Sequence, residues 1–184
     1  MAWLWIIIGV VLLLIILILF LYYNRFIRLS QRIDNSLSQI DVQLKKRADL
    51  VPNLLNSVKG YMKHERKVIT EVTNARKALI SAEGIPEKMK AGNKLQSAIR
   101  SIFAIAENYP DLKANQNFLH LQQELSAIED KIAYARQYYN DSIMSFNIST
   151  KTFPGKWFAN MYGFKEKEYI KIPEAQKAIP KVEF

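Results

Sequence analysis

WLWIIIGVVLLLIILILFL, Trp3–Leu21, is nineteen residues in which only Gly9 falls outside the large apolar set, and no charged side chain occurs from Met1 to Tyr23. An α-helix rises about 1.5 Å per residue, so about 20 such residues cross the hydrocarbon core of a bilayer. The alternative, a buried core helix, is disfavoured because the rest of the chain is too small to surround so apolar a rod. A cleaved signal peptide is also disfavoured. It would need a basic flank before a shorter apolar run and a small-residue cleavage site after it, whereas Tyr22-Tyr23-Asn24-Arg25-Phe26 follows here. The stretch is expected to be a retained transmembrane helix. Trp3, Trp5, Tyr22 and Tyr23 stand at its two ends, where aromatic rings favour the headgroup region.

Charge orients this helix. Arg25, Arg28 and Arg32 follow it and no basic residue precedes it. The positive-inside rule then places the N-terminus outside and the chain from about residue 25 in the cytoplasm. The absence of cysteine agrees with a reducing compartment.

Beyond the anchor, one apolar stripe at steps of three and four passes through Ile33, Leu37, Ile40, Leu44, Ala48, Val51, Leu55, Val58 and Met62. After a polar interruption at Glu65 it resumes at Ile69, Val72, Ala75 and Leu79, so a first long arm is expected over about 25–82. Pro52 falls inside the stripe and predicts a kink, since proline lacks the amide hydrogen and crowds the preceding turn. Gly84 and Pro86 mark the next boundary. A second helix is expected from about Pro86 to Asn108, with Met89, Leu95, Ile99, Ile102, Phe103 and Ala106 on its apolar face. A third, from about Leu112 or Ala114 to Ser149, carries Phe118, Leu121, Leu125, Ile128, Ile132, Ala135, Tyr139, Ser142 and Phe146.

These elements predict an all-α protein: an N-terminal transmembrane helix, then an antiparallel bundle of three main helices plus a short C-terminal one. The expected divisions are an anchor at 1–24, a cytoplasmic bundle at 25–152, and a short aromatic helix with a basic tail at 153–184. In the last, Trp157, Phe158, Tyr162 and Phe164 form an aromatic cluster edged by Lys156, Lys165 and Lys167. It is read either as a helix packing back onto the bundle or as a foot for lipid or a partner protein, with these four aromatics as its interaction surface.

The formal net charge is +9, and the excess lies on residues 25–82 and 151–184. It suits an anionic leaflet or an acidic partner. Without a reading motif, nucleic acid is not an expected partner. The sequence carries no complete catalytic or metal-binding motif. His64-Glu65 begins like a zinc-protease helix, but Val68 stands where the second histidine is required. His120 with Glu124 is one pair, far short of a metal site. There is no thiol nucleophile and no glycine-rich phosphate loop. Carboxylates such as Glu129 and Asp130 read as solvated residues or edge ion pairs. No cofactor, metal or catalytic residue is expected, and the protein is read as non-enzymatic.

Several strings resemble the LemA family. They include Asp41, Lys45-Lys46-Arg47-Ala48-Asp49-Leu50-Val51-Pro52-Asn53-Leu54, and Tyr109-Pro110-Asp111-Leu112-Lys113-Ala114-Asn115. Ala133-Tyr134-Ala135-Arg136-Gln137-Tyr138-Tyr139-Asn140-Asp141 is a third. Among them Asp41, Arg47, Asp49, Pro52, Asn53, Tyr109, Pro110, Asn115, Tyr134, Arg136, Tyr139 and Asn140 are the motif positions. The resemblance implies a single-pass protein of the bacterial inner membrane with a helical cytoplasmic body, and it carries over no catalytic residue. At Ile128-Glu129-Asp130 the chain departs from the Thr-Glu-Asn more usual in the family.

Antiparallel arms would bring the polar set Gln39, Asp41, Arg47, Asp49 and Asn53 beside Tyr134, Arg136, Tyr138, Asn140 and Asp141. Such a set makes an internal hydrogen-bonded clasp or an outward docking surface. The functional expectation is a membrane-anchored scaffold that self-associates into a homo-oligomer. The alternative is an adaptor for another membrane protein, such as a metalloprotease or an envelope-stress component.

Overall fold

The computed structural model describes residues 2–62 and 64–170. Every regular element among them is helical: α1 (Ala2–Lys59), α2 (Arg66–Ile80), α3 (Ile85–Ala106), the single turn α4 (Pro110–Lys113), α5 (Gln116–Lys151) and α6 (Gly155–Tyr162). The all-α expectation, with its N-terminal apolar helix, is met. The apolar N-terminal segment and the first arm are one uninterrupted helix, and Pro52 lies inside it. The expected arm over 25–82, however, is two helices. α1 stops at Lys59, Met62 donates its amide to the Val58 carbonyl at 2.9 Å, and α2 starts at Arg66. The expected three main helices therefore become four. The stripe survives the break because Met62 and Val72 are both fully buried on the two sides of the turn. The basic tail beyond residue 170, including Pro173 and Pro180, lies outside the described residues.

The chain forms two compact units. The unit Ser36–Gln137 is an up-and-down helical bundle. Arg76 Nε of α2 donates to the Ala48 carbonyl of α1 at 2.8 Å. Lys88 of α3 pairs with Asp41 of α1 at 2.7 Å, and Arg47 Nη1 reaches the Gly92 carbonyl at 3.3 Å, so α1 and α3 run the same way. Arg136 of α5 bonds Asn93, while Phe118 meets Phe103 edge-on at 5.7 Å, so α3 and α5 run oppositely. Ile40, Leu44, Val51, Leu54, Leu95, Ile99, Ile102 and Ile132 close its core. Each such side chain contributes roughly 1.5–3 kcal/mol by leaving water. Asn115 caps α5, its Oδ1 accepting the amides of Asn117 and Phe118 at 3.0 and 3.2 Å.

The second unit comprises the described residues of Met1–Asn35 and Tyr138–Phe184. Its core is aromatic: Phe26, Ile33, Ile143, Phe146, Phe158 and Ala159, with Tyr22, Tyr139, Tyr162 and Phe164 packed on it. Phe26 stacks on Phe164 at 4.9 Å and meets Phe146 edge-on at 5.8 Å. α6 ends at Gly163, whose φ of 74° is open to glycine and strained for other residues. That conformation lets the Phe164 amide reach the Ala159 carbonyl at 2.9 Å and brings Phe164 into the core.

Candidate functional site

In the bundle unit the polar motif residues fall into distinct structural roles. Arg47 is fully buried, with its Nη2 on the Glu129 carboxylate and its Nη1 on the Gly92 carbonyl. Arg136 donates to Asn93 Oδ1 at 2.8 Å. Gly92 and Asn93 are neighbours on α3, so that helix receives both arginines. An internal clasp therefore exists, but it is built through α3 and Glu129 rather than by direct pairing of the two expected sets. Of the two expectations for Glu129, a solvated residue or an edge ion pair, the structure shows an ion pair, with a buried rather than an exposed partner. Glu129 is the acid that compensates a buried guanidinium.

Burial pushes the pKa of Arg47 down; Glu129 opposes this, and the charges of Arg136 and Arg100 add to it. Burial likewise pushes Arg136 down, again opposed by Glu129. Buried Nε atoms of both arginines, and Oε1 of Gln43 and Gln96, have no hydrogen-bond partner among the described residues. Arg47 thus depends on Glu129 and one backbone carbonyl to compensate its charge, which is the physical ground for sensitivity to loss of Glu129.

Asp41 holds Lys88 in a half-exposed pair. Asp49 lines a shallow groove with Gln43, Lys46 and Lys131. Pro52 and Asn53 are exposed on α1. Pro110 opens α4, and the Tyr109 hydroxyl makes a long 3.5 Å contact with Glu65. Tyr134 is exposed on the rim of a groove that Gln39 and Gln43 also line. His120 and Glu124 form a 3.9 Å surface pair.

In the other unit, Asn140 and a residue outside the sequence-derived set, Asn147, form a ladder. The Asn147 side chain donates to the Lys167 carbonyl and accepts the Lys167 amide, both at 2.9 Å. Asn140 does the same with Ile170, at 3.2 and 3.1 Å. Two asparagines seven residues apart on α5 thus hold a non-helical segment whose contacts recur three residues apart. The i,i+7 spacing of two asparagines was the available signal. Asn147→Ala is expected to free this segment at a cost of roughly 1–2 kcal/mol, because two backbone groups lose a partner. Faster amide exchange at 165–168, with α5 itself unchanged, is the readout; unaltered exchange would refute the ladder. Tyr139 sits nearby, its pKa raised by burial and then by Asp34.

Of the residues expected to anchor the helix, Trp3, Trp5, Tyr23, Arg25 and Arg28 are exposed, and Tyr22 is half-buried against Phe158 at 4.6 Å. α1 is long and apolar enough to cross a membrane, and its apolar window is not buried by the protein. The expected aromatic surface splits in two. Phe158 is buried, Tyr162 and Phe164 are packed in the aromatic core, and only Trp157 is exposed, at 71%. Trp157 and Phe158 take different sides of α6, and Phe164 follows the helix.

Among the described residues no group of three or more His, Cys, Asp or Glu side chains is placed to hold a metal ion.

The sequence profile of the LemA family matches residues 36–184. Among curated relatives, the magnetosome protein MamQ of Magnetospirillum gryphiswaldense is 25% identical, over 80% of this chain and 64% of its own length. Magnetosome protein MamQ 2 of Paramagnetospirillum magneticum is 24% identical with the same coverage. Protein LemA of Metamycoplasma hominis is 29% identical, over 71% of this chain and 60% of its own length. The chain therefore spans a little under two thirds of the length of these relatives.

Proposed function

Because this chain belongs to the LemA family, we propose that it is a non-enzymatic, single-pass scaffold of the bacterial inner membrane that self-associates. Its N-terminus lies outside and its helical body in the cytoplasm. One observation carries the anchoring: the apolar part of α1 is wholly unburied, yet the helix continues unbroken to Lys59. A helix is one of the few structures that satisfies its own backbone in lipid, and Arg25 and Arg28 follow the apolar run on the side assigned to the cytoplasm.

Self-association is supported by apolar and aromatic side chains exposed on the helical body. Val42, Leu119 and Tyr134 are exposed in the bundle unit, and Tyr134 borders the groove along α1 and α5. Anchoring confines copies to two dimensions and raises their effective concentration.

The experiment is crosslinking mass spectrometry on intact membranes at native expression. Crosslinks between identical peptides, which one chain cannot make, are expected to include the Lys131 region beside Tyr134. Crosslinks confined to one folded chain would reject self-association. Dominant links to one other membrane protein would replace the scaffold with an adaptor.

A further inference from the structure

α6 is fastened at a defined depth on α1. The Tyr162 hydroxyl donates to the Leu19 carbonyl at 3.1 Å, Phe158 stacks on Tyr22 at 4.6 Å, and Tyr162 meets Tyr23 at 5.3 Å. Leu19 lies inside the apolar run, about 3 Å short of its end at Leu21 by helical rise. One face of α6 is spent on this attachment through Phe158 and Ala159. Trp157 and Met161 on α6 are exposed by 71% and 56%, and Phe153, in the turn that precedes the helix, by 89%. Facing water, three large apolar groups in so short a window would be costly to leave uncovered. Beside them is a cleft of about 510 Å³ lined by Lys151, Phe153, Lys156, Trp157 and Asn160. Lys151 shares its charge with Glu166 at 2.9 Å, and Lys156 and Lys165 are exposed nearby in sequence.

We propose that this α5–α6 corner is a lipid-contact site for the leaflet that α1 crosses. Phe153, Trp157 and Met161 enter the level of the headgroups and upper acyl chains, and Lys151 and Lys156 bind anionic phospholipid headgroups. The occupant follows from position, since the foot is bonded to the anchor at the end of its apolar run, where the bilayer surface must lie. Its chemistry fits as well. Tryptophan and phenylalanine partition to that interface, and lysines beside them attract anionic lipid. The inference rests on the reading of α1 as a membrane span.

The chain has three tryptophans, so Trp3→Phe with Trp5→Phe leaves Trp157 as the sole reporter without touching the foot. The full-length protein is reconstituted into vesicles of equimolar phosphatidylcholine and phosphatidylglycerol, with bromine high on the acyl chains. Emission from Trp157 is expected to fall at least about twofold, as for an interfacial indole. Bromine on phosphatidylglycerol alone should quench roughly twice as strongly as bromine on phosphatidylcholine alone. Lys151→Gln with Lys156→Gln should remove that difference.

Emission untouched by bromine and open to aqueous iodide would overturn the site. Emission shielded from both quenchers would overturn it too and assign the face to a protein. Equal quenching by the two lipids would overturn the anionic preference. Alkaline carbonate extraction separates failures: release from the vesicles rejects the anchor itself, whereas retention with unquenched Trp157 rejects only the foot.

Discussion

Glu129→Ala is expected to destabilise the protein by about 3–5 kcal/mol, the range for removing one partner of a buried ion pair. Arg47 has no exposure to solvent, and its other observed acceptor is a single backbone carbonyl, that of Gly92. Without Glu129, its charge would face the like charges of Arg136 and Arg100. Deprotonating a guanidinium to escape this is impractical at neutral pH, even with its pKa lowered by burial. Water entering the vacated space would soften the penalty, because Glu129 is partly exposed, so the lower end of the range is the better expectation.

A second variant tests the cause. Arg47→Met in the Glu129→Ala background removes both charges and fills the space with a flexible apolar chain. It should recover most of the loss, since apolar replacement of a buried pair is often neutral or stabilising. Urea unfolding of the full chain in mild detergent, followed by helical circular dichroism, supplies the comparison. If Glu129→Ala alone costs under about 0.5 kcal/mol, as exposed pairs commonly do, the pair is a surface contact in solution and its buried reading is wrong.

Gly155→Val should detach α6 while leaving the rest of the chain folded. A Cβ built on Gly155 would lie 2.2 Å from the Ser149 carbonyl oxygen. The obstacle is backbone in the last turns of α5, so no rotamer change relieves it. Either α5 deforms near Ser149 or α6 moves away with Phe158 and Ala159. Overpacking of this kind costs roughly 1–3 kcal/mol before any contact is lost. Release of α6 would also expose Phe158 and break its stacking with Tyr22.

Amide exchange across 155–164 should then accelerate by at least about tenfold, the factor that corresponds to 1.4 kcal/mol. Amides in the middle of α5 should keep their protection. Unchanged exchange at 155–164 would mean that the two backbones do not approach closely there. The same variant bears on the lipid-contact site, since a detached α6 no longer holds Trp157 at a fixed depth.

Much of the candidate site was legible before the fold was known. Asn115 stands in one of the motif strings and is the cap of α5. Arg47 is legible beside the apolar stripe, but its partner is not. Glu129 lies 82 residues away on another helix, and nothing local separates it from Asp130, which is exposed. Trp157 and Phe158 are adjacent and chemically alike, yet one faces out and one faces in. An eight-residue helix offers too few turns for periodicity to say which face will meet a partner.

The sequence by itself determined the unburied apolar span, the helical class and the stripes of α3 and α5, and that of α1 except where Ser36 and Leu54 are fully buried and Leu37 and Leu55 only partly. Each of these follows from local physics: the thickness of a hydrocarbon core, the absence of charge, and the 3.6-residue period that sets a side chain's face. The tertiary structure alone decided where the stripe reverses direction between Lys59 and Arg66. It also decided which carboxylate meets Arg47 and which aromatics of α6 are spent on α1. An apolar stripe records that a helix must be covered, not what covers it, and it runs in register through a turn as readily as along a rod. A charge records its cost of burial, not its partner. Both are settled only when helices distant in sequence are packed together.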